Sequence, residues 1–229
     1  SFSSPAGLWG DSVNGRLYIA DQGAHYIAML DTDTTAGTGS SVLSVLAGTG
    51  SEGYSGDGSD CKLARLSSPS FIFGSDDTIY IADSGNNRIR CVNMTSSVMD
   101  TCVGGGTGGD GGQATAAKLN GPTGIYARRV VNVDVAANTA EAGEGTAVEL
   151  FFSDTLNHRI RSVNANGIIR TLAGRGTQGY DDGFGIAVNA VLNTPAGLWV
   201  STSGDEVYFA DSQNHVIRCI YVDSGLISL

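Results

Sequence analysis

An all-β fold made of repeated four-stranded leaves is what this sequence predicts, on three observations. One pattern recurs four times: LYIADQGAHYIAML from Leu17, IYIADSGNNRIRCV from Ile79, LFFSDTLNHRIRSV from Leu150 and VYFADSQNHVIRCI from Val207. The apolar residues within it show no 3.6-residue period, which removes a solenoid of helical repeats. Glycine makes up 33 of the 229 residues without a collagen-like period, so a packed core with many tight turns is expected. Units this small cannot bury their own apolar faces and must stack on one another. Short strands at this spacing describe the antiparallel blades of a β-propeller.

Each unit opens at a proline, namely Pro5, Pro69, Pro122 and Pro195, and the first and last units share the string PAGLW. A first strand follows, at Gly7–Trp9, Phe71–Phe73, Gly124–Tyr126 and Gly197–Val200. The next turn is rich in Asn, Gly, Ser or Asp, as in Val13-Asn14-Gly15, whose residues tolerate positive φ in a hairpin. The second strand (Leu17–Ala20, Ile79–Ala82, Leu150–Ser153, Val207–Ala210) is apolar at consecutive rather than alternate positions. Such a strand has both faces covered, as in a sheet held between two neighbouring sheets.

Asp21, Asp83, Asp154 and Asp211 end the second strand of every unit. A catalytic acid is not repeated in this way; a short carboxylate that bonds backbone N–H groups and fixes a turn is. The third strand carries Arg88 and Arg90, Arg159 and Arg161, and Arg218, whereas unit one has Tyr26 and Ala28 there and keeps Asp21. The aspartate therefore has a role beyond pairing with arginine. The fourth strand (Val42–Leu46, Met99–Val103, Ile168–Leu172, then Leu226 onward) runs into a glycine-rich connector: AGTGSEGYSGDG from Ala47, VGGGTGGDGG from Val103 and AGRGTQGYDDG from Ala173. The units so delimited cover 5–68, 69–121, 122–194 and 195–229 of a single array. Unit three carries an insertion over about 128–148, because Pro122 and Asp154 lie 32 residues apart where the other units need 14 to 16. RRVVNVDV and TAVELFF on either side suggest a lengthened hairpin that could contact a partner through Arg128, Arg129, Asp134, Glu141 and Glu144.

The net charge of −10, with 13 lysines and arginines, argues against a nucleic-acid surface. No apolar run approaches the roughly 20 residues of a membrane-spanning helix. The four cysteines form no CxxC pair. Three pairings are open to them, and Cys91 with Cys102, on adjoining strands, is the leading candidate. Asn93-Met94-Thr95 is a glycosylation sequon at the start of a hairpin tip. With an even cysteine count it points to an extracellular or cell-surface setting.

His25, His158 and His215 share one place in the repeat, where unit two has Asn87. Zinc needs its nitrogens about 2 Å from one ion, and positions a blade apart do not converge so closely. These residues are therefore expected to bond their own turns, and no metal or other cofactor is expected. The GxGxxG strings at Gly48–Gly53 and Gly174–Gly179 lack the following helix that a phosphate cradle needs. Asp57, Asp110 and Asp182, in Asp-Gly steps, lack the dense alternating oxygens of a dedicated calcium loop. No G-x-S-x-G elbow occurs.

Taken together, IYIADSGNNRIR, NANGIIRTLAGRGTQGY and the A-x-x-A-x-L spacing at Ala114–Leu119 and Ala187–Leu192 resemble the NHL repeat, and the likeness covers essentially the whole chain. Unit one departs most, with Ala24-His25-Tyr26 where an Asn-His-Arg type of string is usual. The resemblance implies four blades of a longer, six-bladed type of propeller, with a closed four-bladed ring as second choice. It also implies a non-catalytic recognition or assembly scaffold for a protein or glycan partner. The alternatives are a metal-dependent propeller lyase or hydrolase, as in some six-bladed relatives, and RNA recognition, which the negative charge disfavours.

Overall fold

The computed structural model describes residues 1–32, 41–131 and 146–229. Within them the chain forms four antiparallel sheets and no α-helix. The first leaf comprises β1 (Pro5–Asp11), β2 (Arg16–Asp21), β3 (Tyr26–Asp31) and β4 (Val42–Ala47), in that order. The second contains β5 (Ser59–Asp60), β6 (Pro69–Ser75), β7 (Thr78–Asp83), β8 (Arg88–Asn93) and β9 (Val98–Gly104), with β5 outside β9. The third is β10 (Pro122–Val131), β11 (Thr146–Asp154), β12 (Arg159–Val163) and β13 (Ile169–Ala173). The fourth holds β14 (Gly185–Ile186), β15 (Pro195–Val200), β16 (Glu206–Asp211), β17 (Val216–Tyr221) and β18 (Leu226–Ser228), with β14 outside β18. The edge strands β5 and β14 lie inside stretches that sequence reasoning read as plain connector. Two residues of strand leave no periodicity to detect.

The consecutive apolar residues of the second strand serve two different cores. In β7, Ile79 and Ile81 join one cluster with Tyr18, Ala20 and Ile27 of the first leaf. Tyr80 and Ala82, between them in sequence, join another with Ile125, Leu150 and Phe152 of the third. A third cluster sets Phe151 and Ile160 against Val207, Phe209 and Ile220 of the fourth. Successive side chains of a strand point to opposite faces, so a strand apolar throughout is a strand covered on both sides. The inner strands pack in chain order, β1 on β6, β6 on β10 and β10 on β15. Their aromatic residues follow suit: the Trp9 and Phe73 rings are 6.1 Å apart, and Phe73 and Tyr126 4.7 Å.

Each connector adds a plug between leaves. Cys61, Ala64 and Leu66 enter the first core, Ala114, Ala117 and Leu119 the second, and Ala187, Ala190 and Leu192 the third. The small residues let the backbone pass close to the sheets while the leucine fills the gap. The last leaf repeats the side chains of the buried faces without burying them all. Trp199 and Ile217 are 52% and 62% exposed, whereas Ile27, Ile89 and Ile160, at the place of Ile217, are each 0% exposed.

The third leaf extends furthest. Register runs from Pro122↔Asp154 to Val131↔Thr146, so β10 and β11 reach beyond the hairpin ends of the other leaves. Asp134, Glu141 and Glu144 lie outside the described residues. No helix among the described residues is long and apolar enough to cross a membrane.

Quasi-equivalent positions should respond to truncation according to cover. Ile89→Ala is expected to lower unfolding free energy by about 2–5 kcal/mol, and Ile217→Ala by no more than about 0.5 kcal/mol. Chemical denaturation of both variants measures the difference.

Candidate functional site

The polar signature of the repeat gathers at one edge of the leaves, where the second strand ends. Asp21, Asp83, Asp154 and Asp211 are all fully buried. A carboxylate out of water must have its oxygens bonded, and each finds partners in the connector rather than in its own turn alone. Asp83 accepts from the Ser67 N–H at 2.7 Å, Asp154 from Asn120 at 2.8 Å and Asp211 from Asn193 at 2.7 Å. Each donor stands two residues before the proline that opens the leaf. The second oxygen accepts from the side-chain amide three residues on, Asn86, Asn157 or Asn214.

That oxygen also receives a buried arginine. Arg90 lies 3.4 Å from Asp83, Arg161 3.1 Å from Asp154 and Arg218 2.8 Å from Asp211. The same guanidinium reaches a second carboxylate in the glycine-rich connector: Asp57 at 2.6 Å, Asp110 at 2.6 Å and Asp181 at 2.9 Å. Asp57 and Asp110, weighed above as calcium ligands, are thus arginine partners. In the fourth leaf the partner is Asp181 rather than Asp182, the residue that the Asp-Gly spacing singled out. Leaf one has Ala28 in place of the arginine. There Asp21 relies on backbone donors, the N–H groups of Ser3 and Ser4, each at 2.8 Å, and Ala24 at 3.3 Å.

The histidine position does something other than bond its own turn. His25, Asn87, His158 and His215 all adopt the left-handed conformation, with φ between 52° and 57°. Asn and His enter that region more readily than most residues. His25 Nδ1 accepts from the Ser68 N–H at 3.1 Å, and His158 Nδ1 from Thr194 at 3.1 Å. In the second leaf Asn87 Oδ1 takes the Gly121 N–H at 2.7 Å. These donors sit one residue before the proline that opens the following leaf. Two adjacent amides are therefore divided between two leaves, the first held by an aspartate in its own leaf and the second by the preceding leaf.

Glycine is required where this clip meets the fourth strand. Gly48, Gly104 and Gly174 have φ of 95°, 93° and 93°. A Cβ there would run into the carbonyl oxygen of His25, Asn87 or His158. The glycine-rich strings thus serve close backbone passage.

Among the described residues no group of three or more His, Cys, Asp or Glu is arranged to hold a metal ion. The insertion arginines also have intramolecular partners. Arg128 bonds Glu149 at 2.7 Å and donates to the Ser203 carbonyl of the fourth leaf, while Arg129 lies 3.5 Å from Asp76 of the second. Cys91 and Cys102 form a disulfide with Cα atoms 5.9 Å apart, and Cys61 and Cys219 are buried thiols. Cys102 is the unpaired residue of a bulge in β9, between partners Arg90↔Thr101 and Ile89↔Val103. Asn93 is exposed, and its Oδ1 accepts from the N–H groups of Thr95 and Ser96 at 3.0 and 2.8 Å.

Burial pushes the Asp83 and Asp154 carboxyls up, against the pull of their amide and guanidinium partners. Burial also acts on Asp57, but the Tyr54 and Thr101 hydroxyls and the Arg90 guanidinium outweigh it and hold that carboxyl below its ordinary 3.8. Its contribution to stability is therefore present above pH 3.8 and lost as the pH falls through the depressed value. Asp57→Asn should flatten this acid limb of the stability curve, as read by urea titrations at a series of pH values. Arg90→Ala, which leaves Asp83 buried beside no cation, should cost about 3–5 kcal/mol in the same experiment.

No protein-family model matches the chain. It is 24% identical over 234 residues to human NHL repeat-containing protein 2, covering 93% of this chain and 29% of that protein. Against chicken Teneurin-1 it is 28% identical, covering 95% of this chain and 7% of the relative. Among solved structures, an auxiliary nutrient binding protein from Bacteroides ovatus superposes with a TM-score of 0.65 at 21% identity, over 96% of this chain and 48% of the other. A chain of a nidogen/laminin complex gives 0.57 at 18% identity, over 96% and 61%. A streptogramin B lyase gives 0.57 at 16% identity, over 99% and 54%. This chain spans less than a third of those curated relatives and about half to three-fifths of those structures. In its four leaves the chain has the architecture of a β-propeller, and in its repeat signature and its sequence relatives it is similar to NHL repeat-containing proteins.

Proposed function

We propose that the array is a non-catalytic recognition or assembly scaffold of a secreted or cell-surface protein. In this reading it engages a protein or glycan partner through the loops at the hairpin ends of the leaves. The observation that carries the reading is a division of labour between the two edges. At the strand-end edge the aspartates, the buried arginines and two of the three histidines are committed to holding connectors. At the opposite edge the structure invests in projection: β10 and β11 extend past their neighbours, and Arg128 and Arg129 brace them against the leaves on either side. Asn93 pairs with Thr78 at that same edge, so a glycan there would flank the contact surface.

The printed descriptions of the structural relatives support binding as a use of this architecture, in nutrient-binding proteins and in a nidogen/laminin complex. The streptogramin B lyase structure supports a propeller lyase as the alternative. Against it stand His25 and His158, each of which spends its Nδ1 on a backbone N–H.

Expression through a secretory pathway should yield a chain whose mass falls on N-glycosidase treatment, with the shift abolished by Asn93→Gln. Replacing residues 132–145 by Asn-Gly should abolish capture of partners from a panel of secreted proteins and glycans while leaving the thermal midpoint unchanged. Retained capture would overturn the assigned surface. One stoichiometric metal ion after dialysis would overturn the non-catalytic assignment.

A further inference from the structure

The three arginine clips are not finished alike. In the second leaf the Tyr54 ring lies 3.9 Å from the Arg88 guanidinium carbon and 4.9 Å from that of Arg90, and its hydroxyl bonds Asp57 at 2.7 Å. In the fourth, Tyr180 lies 5.5 Å from Arg218, and Val216 stands where the second leaf has Arg88. Both tyrosines come from the G-Y step of the glycine-rich connector. The third leaf keeps both arginines, Arg159 and Arg161, but its connector, VGGGTGGDGG, is two residues shorter than AGTGSEGYSGDG and contains no aromatic residue.

A groove of about 380 Å³ lies against this uncovered pair. Its lining includes Thr107, Gly109, Lys118, Arg159, Arg161 and Thr171. Arg161 is neutralised by Asp110 and Asp154. Arg159 donates to the Arg175 carbonyl at 3.2 Å, and neither it nor Lys118 has a carboxylate partner among the described residues. Three cations against two carboxylates leave a local excess of positive charge in a chain of net charge −10. The volume lies within the range of small-ligand sites, and the Thr107 hydroxyl beside two unneutralised cations suits charge-assisted bonds to oxyanions.

We propose that the groove of the third leaf is a binding site for a small organic or inorganic oxyanion, a carboxylate, sulfate or phosphate. Arg159 and Lys118 supply its charged contacts and Thr107 its hydroxyl, the Thr171 hydroxyl being held by Asp110. The site opens at the strand-end edge, away from the hairpin surface assigned above, so it is independent of that assignment.

Titration calorimetry and amide NMR of the 229-residue chain with sulfate, phosphate and citrate test it at constant ionic strength. Saturable binding is expected, with resonances of Thr107–Gly109 and Thr171 shifting. Lys118→Ala and Arg159→Ala should each weaken binding by about tenfold, the size of one charge-assisted contact. Gly109 has no heavy atom within 4 Å of a built Cβ, so Gly109→Tyr can restore the missing ring, and it should block binding with every charge retained. Arg88→Ala, at the covered pair, should leave binding unchanged. Circular dichroism confirms that each variant folds. Absence of saturable binding by all three anions, or equal affinity in the Lys118, Arg159 and Gly109 variants, would overturn the proposal. Citrate preference over sulfate and phosphate identifies a carboxylate ligand, and the reverse order an inorganic-type oxyanion.

Discussion

A carboxylate shut away from water at the end of a β-strand has to find donors for both oxygens, and here it finds them in a segment that precedes its leaf. Asp83, Asp154 and Asp211 each gather a connector amide, an asparagine amide and an arginine. Leaving such a group without partners costs more than the bonds return in excess of hydration, so the connector is fixed by necessity. The glycine-rich string then passes close to the strand ends, and the small residues that follow drop into the gap between sheets. The plug, the clip and the two-faced second strand are one solution to one problem: thin sheets that must be dry on both sides.

Leaf one marks which parts of that solution are interchangeable. It lacks both the arginine and the asparagine, yet Asp21 stays buried because three backbone N–H groups converge on it. There burial raises the carboxyl, and the amide donors more than offset it, so the group is held below its ordinary range. In leaves two and three the balance reverses, and burial prevails despite the guanidinium. The same side chain thus occupies two electrostatic settings in a single array.

Architecture was legible in the sequence because repetition multiplies weak signals. A single IYIAD has no decisive period, but four copies with prolines and glycines at matching offsets leave few alternatives. The disulfide positions on β8 and β9 could be read from strand adjacency, though the bulge at Cys102 could not. Partnerships across the chain were less legible. Nothing in the local sequence of His158 says that its acceptor nitrogen serves Thr194, because the bond depends on how two leaves meet. Asp182, which the Asp-Gly step singled out, yields to Asp181 because that is the carboxylate Arg218 reaches, a tertiary fact. Strands β5 and β14 were too short to carry a pattern. Arg128 and Arg129 read as free insertion charges only because the turns they touch, at Asp76 and Ser203, are distant in sequence.

The sharing of adjacent amides between two leaves bears on how such an array comes apart. Ser67 is tied to its own leaf and Ser68 to the one before, as are Asn193 and Thr194 further on. A leaf that frays forfeits a donor or acceptor needed next door, and its neighbour's stability drops with it. Opening should travel from leaf to leaf like a zipper, with hydrogen-exchange protection of neighbouring leaves lost together.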